Sequence, residues 1–508
     1  MSTGVPLADL PPEWALRAIA DIAEINPRID KRKIEDGIRV SFVPMPAVDA
    51  GSGQIDVSET RPFAEVRKGF TGFREGDVLF AKITPCMENG KMAVVPAVEN
   101  GYGFGSTEFH VLRPGPEVTS RYLYHFVSSQ QIRGDAERHM IGAVGQRRVP
   151  AGYFEDCRIP LAPLDQQAQI VAEIEKQFSR LDEAVAGLQR VKANLERYKA
   201  AVLKAAVEGR LTEAWREAHP DVEPASELLE RILSERRAKW EEAELTKMRA
   251  RGREPKNGKW KSRYKPPRTA EMDERSSDLP DGWAWASIDQ LASPAANSIT
   301  DGPFGSNLKT AHYRDSGPRV IRLQNIKDGY FADERAHITE EHYERLAKHQ
   351  VFSGDLVIAA LGENPPRACL IPEHVGPAVV KADCIRFAPS RHLSASFLNI
   401  ALNSQPTRKR AKKLLHGVGR PRLSLGEIRE IALPVPPHAE QIATVEEAER
   451  QLSIVARVST QVDRALVRAE RQRQAILAAA FSGRLLNADR TRGELSESVI
   501  QLDMVAEQ

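Results

Sequence analysis

The sequence predicts an α+β fold. It contains two mixed α/β globular domains, each followed by a long helix, with the two helices pairing as an antiparallel coiled coil. The whole forms a pseudo-two-fold internal repeat. Three observations predict this. Gly145-Gln146-Arg147-Arg148-Val149 resembles Gly419-Arg420-Pro421-Arg422-Leu423, Gln167 matches Gln441, and Gly209-Arg210-Leu211 matches Gly483-Arg484-Leu485. All three lie 274 residues apart (145 to 419, 167 to 441, 209 to 483), so the stretch repeats without a gap. Two long segments carry apolar residues in steps of three and four. Short apolar runs between glycine and proline turns read as strands elsewhere.

Residues 1–160 form the first globular domain. Leu10-Pro11-Pro12-Glu13-Trp14 opens it, and Gly76-Asp77-Val78-Leu79 enters a strand; Leu279 to Trp283 and Gly354 to Val357 are their counterparts. Here the offset drifts from 269 to 278 (14 to 283, 76 to 354), which means loops of different length in the two copies. Strands are expected at Asp77 to Ile83, Met92 to Val95, Val320 to Ile326 and Leu356 to Leu361. Residues 161–212 form the first long helix. Its seam runs Ile170, Ile174, Phe178, Leu181, Val185, Leu188, Val191, Leu195, Tyr198 and Val202, the a/d pattern of a coiled coil. Gly209 is placed to cap its C-terminus. About 45 residues at ~1.5 Å each make a rod of roughly 65–70 Å. That exceeds one small domain's diameter, so the two seams are expected to pair with each other.

Residues 213–275 have no counterpart after the second helix. They open with an amphipathic helix over Ser226 to Lys247 and end in a basic stretch. Residues 276–435 form the second globular domain and 436–486 the second helix, with Leu452, Val455, Val458, Val462, Leu466, Ala469, Ile476 and Ala480 on its seam. Residues 487–508 read as a polar tail.

The chain has 508 residues, 41% of them hydrophobic and 28% charged, enough for real cores. A net charge of +2 excludes a bulk polycation and an acidic disordered protein. Cys86, Cys157, Cys369 and Cys384 form no CxxC pair, which excludes a zinc module and fits a reducing cytoplasm. The N-terminal residues lack the pattern of a secretory signal, and no apolar run approaches the ~18 residues that span a bilayer.

A search for catalysis fails. Asn364-Pro365-Pro366-Arg367 imitates the loop of DNA amino-methyltransferases but has Arg where a stacking ring is needed. Asn89-Gly90-Lys91-Met92 lacks the first glycine and the Ser/Thr of a phosphate loop. Asp77 and Lys82 share a strand without the Glu-x-Lys of a metal-dependent nuclease. The twelve histidines show no HExxH spacing.

Charge is more informative locally. Lys247 to Arg268 holds ten Lys or Arg against Glu254, a net +9 interleaved with Trp260 and Tyr264. Such a run is also what a solvated linker carries, and the acidic helix before it (Glu241, Glu242, Glu244) can neutralise it. Arg408 to Arg422 holds seven basic residues and no acid. It ends in Gly417-Val418-Gly419-Arg420-Pro421-Arg422, which couples a flexible backbone to two guanidiniums. The first copy has Gly142 to Arg148 at the same place. These are groups that contact phosphate. Two related domains held apart by paired helices suit the two-fold symmetry of a DNA backbone. Because they differ in sequence, each is expected to read a different half-site.

Taken together, the chain resembles the specificity subunit of a Type I restriction-modification system. The resemblance covers nearly the whole chain and rests on an ordered set of markers. These are Gly76 to Pro85, Glu88 to Lys91, Gly105 to Phe109, Val111 to Pro114, Asp301 to Ser306, Ile321 to Ile326 and Gly417 to Ser424. The helix entrances at Gln166-Gln167 and Glu440-Gln441 and the Gly-Arg-Leu exits complete it. The resemblance implies two target-recognition domains, each reading half of a bipartite double-stranded DNA site. It implies helices that act as spacer and as platform for two modification subunits, with Gln167, Ile170, Ile174, Gln441, Val445 and Leu452 at that subunit interface. The cofactors, S-adenosylmethionine, ATP and Mg, would belong to modification and restriction subunits and none to this chain. By residue type, Arg147, Arg148, Arg420, Arg422, Ser306 and Lys309 are expected to anchor phosphates. Lys82, Asn89, Arg322 and Asn325 are expected to read bases, with Lys91 also at the DNA-binding surface. The other role open to Asn325 and Arg322 is turn capping and a surface ion pair. The alternatives are a stand-alone DNA adenine methyltransferase and a coiled-coil scaffold without DNA affinity.

Overall fold

Alternating side chains on two short, wholly buried strands explain how each globular part is layered. The computed structural model describes residues 10–486, apart from residues 144, 256, 271–278, 363 and 418–420. The chain divides into two compact units, residues 1–190 with 462–508, and residues 191–461.

The first unit holds β1 (Ala15–Ala18), β2 (Ala23–Ile25), β3 (Arg39–Val43), β4 (Thr60–Pro62), β5 (Thr71–Phe73), β6 (Val78–Ala81), β7 (Met92–Val94), β8 (Gly103–Gly105), β9 (Phe109–Pro114) and β10 (Arg158–Leu161). They form an antiparallel sheet in the order β2-β9-β6-β7, a second sheet β4-β3-β8-β5 with β3 and β8 parallel, and the pair β1-β10. The second unit holds β11 (Ala284–Ser287), β12 (Ile299–Asp301), β13 (Arg314–Ile321), β14 (Gln350–Val351), β15 (Leu356–Ala359), β16 (Arg367–Leu370), β17 (Ala378–Val380), β18 (Cys384–Phe387) and β19 (Ala432–Val435). Its sheets are β12-β18-β15-β16, β13-β17-β14 with β13 and β17 parallel, and the pair β11-β19. The plan of the first unit recurs, less the edge strand β4. The expected strand over Val320 to Ile326 ends at Ile321. Leu323–Asn325 is a 3-10 turn, closed by the Asn325 amide.

All four residues of β6, Val78–Ala81, are buried. Successive side chains point to opposite faces. Val78 and Phe80 therefore enter one core with Leu112, Tyr122 and Phe154, while Leu79 and Ala81 enter another with Val43, Phe73 and Phe109. In β15, Leu356 and Ile358 divide from Val357 and Ala359 in the same way. The repeated Gly-Asp turn sets these strands. Gly76 and Gly354 take φ of 82° and 81°, a region that favours glycine. The Asp77 carboxylate then accepts from the Arg74 backbone N–H (2.8 Å) and from Arg113 of β9 (2.8 Å). Asp355 accepts likewise from the Phe352 N–H (2.8 Å) and from Arg386 of β18 (2.6 Å).

The long helices span Leu164–Val207 and His438–Phe481, 44 residues each. A buried amide fixes the start of each. Gln167 donates to the Ala162 and Glu117 carbonyls and accepts from the Thr119 N–H. Gln441 donates to the Pro436 carbonyl and accepts from the Ser394 N–H. Thr119 and Ser394 are the N-caps of Ser120–Val127 and Ala395–Asn403, so one side chain ties two helix starts together. The indole N–H of Trp14 donates to Gln166 (2.8 Å), and that of Trp283 to Glu440 (2.9 Å).

Each helix exit packs on a domain entrance. Gly209 has φ of 71°, and a Cβ there would lie 2.5 Å from Pro280 and 3.2 Å from Trp283. A Cβ on Gly483 would lie 2.3 Å from Pro11. The repeated Gly-Arg-Leu and Leu-Pro-x-x-Trp motifs are thus two sides of one joint.

The helices do pair. In the first unit Arg473 lies over the Phe178 ring (4.4 Å) and pairs with Asp182. In the second unit Tyr198 donates to Gln451 (3.0 Å), and Val202 packs with Ala448. Rising numbers on one helix meet falling numbers on the other. The seam is not given wholly to this pairing, however. Ile170 and Ile174 sit in the core of the first globular part beside Tyr122, because the first turns of the helix continue that core. The expected helix over Ser226 to Lys247 spans Ala225–Ala250 and buries Ala225, Leu228 and Ile232.

Replacing Gln167 or Gln441 by Leu strands an N-cap N–H and at least one carbonyl in a buried site. Each unpaired group costs about 1–3 kcal/mol. The expected result is a lower thermal midpoint with faster amide exchange at Thr119 or Ser394. An unchanged midpoint and exchange rate would show that the amide is dispensable.

Candidate nucleic-acid interface

The same strand-and-hairpin frame presents a loop arginine in both units. In the first, the backbone of Arg148 exchanges hydrogen bonds with Ile141 (2.8 and 3.0 Å), and Val149 donates to the Lys82 carbonyl (2.9 Å). The hairpin tip between them carries Gly142 and Gly145 with φ of 121° and 82°. In the second, Arg422 exchanges with His416 (3.1 and 3.3 Å), and Leu423 donates to the Ala360 carbonyl (2.9 Å).

Each arginine meets a carboxylate at the start of a central strand. Arg148 donates Nε and Nη2 to Glu108 (2.9 Å each) and Nη1 to the Gln146 carbonyl (2.9 Å). Three of its five N–H groups are engaged and the side chain is 41% exposed, which leaves two donors for a phosphate while the Glu108 pair holds the fork in place. The Arg148 hydrogen bond holds the Glu108 carboxyl below the usual glutamate range, against the effect of burial and with help from the Lys82 charge. Arg422 is less committed, with Asp383 Oδ1 at 3.3 Å and 45% of its side chain exposed. Arg147 lies 3.6 Å from Glu137. Arg420 lies outside the described residues.

The remaining expected base readers divide sharply. Asn89 is exposed at the loop that follows β6, and Lys82 is half-buried beside Glu108. Asn325 is fully buried. It accepts from the Arg322 N–H and donates to the carbonyls of Ala332 (2.8 Å) and Glu334 (2.7 Å). A base edge cannot reach it, so its expected reading role gives way to turn capping. Arg322 donates to the Arg335 carbonyl (3.3 Å) and lies 5.9 Å from the Tyr313 ring centroid. Lys91 donates to the Met45 and Val48 carbonyls (3.1 and 2.8 Å), which spends its ammonium inside the fold rather than at the surface.

Ser306 and Lys309 are exposed on a loop held by His342, whose Nε2 is 2.8 Å from the Asn307 carbonyl. Gly302 seats this loop against Lys381, where a Cβ would lie 2.0 Å from the carbonyl carbon. Lys381 in turn donates to the Tyr313 hydroxyl (3.0 Å), two residues before Asp383. The segment 381–383 thus joins the Ser306 loop, Tyr313 with Arg322, and Arg422 into one site. Sequence reasoning missed Glu108 and Asp383, and also Ile141 and Phe304, which are exposed beside the candidate loops. Glu108 and Phe304 lie inside the marker stretches Gly105 to Phe109 and Asp301 to Ser306, and Ile141 precedes Gly142, but nothing in the residues around Asp383 signals it.

The basic run Arg408 to Arg422 is less free than its charge suggests. Arg408 pairs with Asp328 (2.7 Å). Arg410 lies 4.7 Å from the Trp285 ring centroid, and burial pushes its pKa down to about 10. Lys409 and Lys412 remain exposed. Of the expected subunit-contact residues, Gln167, Gln441, Ile170 and Ile174 are buried within their own units, so they shape a docking surface only from beneath. Val445 and Leu452 are half-buried against Val202. Leu164, Val191, Tyr198, Ile442, Ile454 and Val467 are the large apolar residues that the helices expose.

The methyltransferase-like tetrapeptide is a turn into β16 with Pro365 and Pro366 buried, not an open base pocket. Among the described residues no group of three His, Cys, Asp or Glu could hold a metal ion. Among them also, no helix is long and apolar enough to cross a membrane.

Residues 11–196 match the family model described as the Type I restriction modification DNA specificity domain. The specificity subunit of the Escherichia coli Type I restriction enzyme EcoAI is 29% identical over 69% of this chain and 62% of its own length. That of EcoEI, also from Escherichia coli, is 26% identical over 94% of this chain and 83% of its own length. The HsdS subunit from Thermoanaerobacter tengcongensis shares the fold at 17% identity and a TM-score of 0.51, over 94% of this chain and 98% of that one. A chain from a structural study of complex assembly and conformational transition in the type I R-M system gives a TM-score of 0.67 at 18% identity. It covers 94% of this chain and 99% of that one.

The Glu108 carboxyl is expected to titrate below the ordinary glutamate range and to return toward it in Arg148→Gln. Its pairing with Arg148 stabilises the hairpin above that range and is lost as pH falls through the lowered value. Carboxyl chemical shifts against pH test this, and identical titrations in the two proteins would exclude the pairing.

Proposed function

We propose that this chain, which belongs to the family of Type I restriction-modification specificity subunits, is the DNA-reading member of its complex and is itself non-catalytic. Each target-recognition domain reads one half of an asymmetric bipartite site. The observation that carries this is the recurrence of one arginine–carboxylate hairpin frame (Arg148 with Glu108, Arg422 with Asp383) under loops of different chemistry. A frame common to both domains positions each on the backbone, and differing tips let each select its own bases. Asn89 and Ile141 stand at one, Phe304, Ser306 and Lys309 at the other. Arg422, Arg147 and Lys309 are the phosphate anchors of this reading. Lys82, Asn89 and Arg322 border the base-reading surface. Arg148 joins the anchors through the N–H groups that Glu108 and the Gln146 carbonyl leave free. A bidentate base contact discriminates by ~1–3 kcal/mol, so a few such contacts define a half-site.

The long helices are the spacer and the platform for two modification subunits, which meet the exposed apolar residues Ile442, Ile454 and Val467 of the second helix and Leu164, Val191 and Tyr198 of the first. S-adenosylmethionine belongs to those partners, and ATP and Mg to restriction subunits that translocate and cut. The complex works in the cytoplasm, where its DNA lies.

The test exchanges residues 1–160 for the equivalent domain of a relative and maps methylated adenines genome-wide. One half of the target is expected to change while the other half and the spacing persist. Change in both halves, or in neither, would sink the two-reader model. A purified chain that alone methylates DNA from S-adenosylmethionine would instead establish the adenine methyltransferase alternative.

A further inference from the structure

The segment after the helix Ala225–Ala250 has no counterpart elsewhere in the chain, and the two-reader model gives it no task. It is nonetheless a built element. From Arg251 the chain doubles back over its own helix. Trp260 stacks on Trp240 with centroids 6.1 Å apart and planes at 24°, and Tyr264 sits 5.3 Å from the same ring. Lys261 pairs with Glu241 (2.7 Å). At the far end the Arg268 N–H donates to the Asp289 carboxylate (2.9 Å), and its guanidinium pairs with Glu430. A strap pinned by rings in the middle and ion pairs at its end is not a loose linker.

Six cations, Arg249 in the last turn of the helix and five along the strap, stand outside these pairs. Arg249, Arg251, Arg253, Lys259, Arg263 and Lys265 are all exposed and make no ion pair among the described residues. The strap's one acid, Glu254, is exposed too. The place of the anchor adds direction. Glu430 ends the six-residue helix Leu425–Glu430, which begins three residues after Arg422. At ~1.5 Å per residue that helix is about 9 Å long. The far end of the strap therefore lies one short helix away from Arg422.

We propose that this strap is a second, sequence-independent contact to the phosphates of duplex DNA flanking the half-site read by the second domain. The inference rests on the DNA-reading function above. Duplex backbone fits better than a single strand, because Trp260 and Tyr264 already pack on Trp240 and have Lys261 (5.7 Å) and Arg237 (5.8 Å) beside their rings, which leaves little open ring face for bases. Four of the six cations are arginines, whose planar forks match phosphate oxygens.

The test compares the full chain with a variant in which all six become glutamine (R249Q, R251Q, R253Q, K259Q, R263Q, K265Q). Binding to a target duplex with long flanks is measured over a range of salt concentrations. Each phosphate contact contributes about 0.9 to the log–log slope, so losing half of six flattens it by about 3. The difference is expected to vanish on a duplex trimmed to the target, with the methylated sequence and thermal midpoint unchanged. Should the midpoint fall, the pairs R251Q/R253Q and K259Q/R263Q each flatten the slope by about 1–2 on the same principle. An unaltered slope on the long duplex overturns the strap contact. So does a variant that binds DNA normally but no longer retains modification subunits, which would assign the strap to an acidic protein surface. A wild-type chain without target preference would overturn the DNA-reading function instead, and the slope comparison would still report on the strap.

Discussion

A buried glutamine at the root of each long helix is the constraint on which the rest depends. Gln167 and Gln441 lie where a proline-rich approach turns into 44 residues of helix. At that point an approach carbonyl needs a donor, and the N-cap N–H of a neighbouring helix needs an acceptor. One primary amide serves both, because its oxygen accepts while its nitrogen donates. No hydrophobic residue can do this, and an ionised carboxylate accepts but has no N–H for the carbonyl. The direction of each helix relative to its own domain is therefore set by a hydrogen-bond pattern rather than by apolar packing. Packing then follows, with Ile170, Ile174 and Phe481 closing over Tyr122.

This explains what in the sequence was legible. The gapless offset between the two copies covers the amide and the glycine pressed against a proline ring, and the tryptophan that donates beside the amide recurs at a different offset. Helix limits, the Gly-Asp turns and the order of domains follow from such residues. The recognition surface was legible only in outline. Asn325, Lys91, Arg410 and Arg408 have the residue types of nucleic-acid contacts, yet each is spent on internal bonds. Composition cannot distinguish an amide that braces its own turn from one that faces solvent, since both sit in polar, glycine-rich segments. Glu108 and Asp383 show the converse. Each lies about 40 residues from the arginine it pairs with, so only the fold brings the acid to the candidate phosphate anchor and holds the arginine in place.

Charge in this chain therefore falls into two populations. Asp77 with Arg113 and Asp355 with Arg386 pair inside the sheets, where the carboxylates are nearly inaccessible and pairing keeps them from being orphaned charges. The hairpin and strap cations stay near water and are available to a polyanion. A near-zero total is compatible with both, because the acids that balance the sum also fix the frame.

The boundary between the compact units falls inside both long helices, between Arg190 and Val191 and between Gln461 and Val462. Each helix thus leaves roughly half of its length to either unit. A bare helical segment of about 20 residues is marginal in water without tertiary packing. Loss of packing in one unit must therefore expose and fray the helix halves it holds, at the open end of the halves held by the other. Neither unit has a self-contained set of elements, and folding cooperativity is shared through the continuity of two helical backbones.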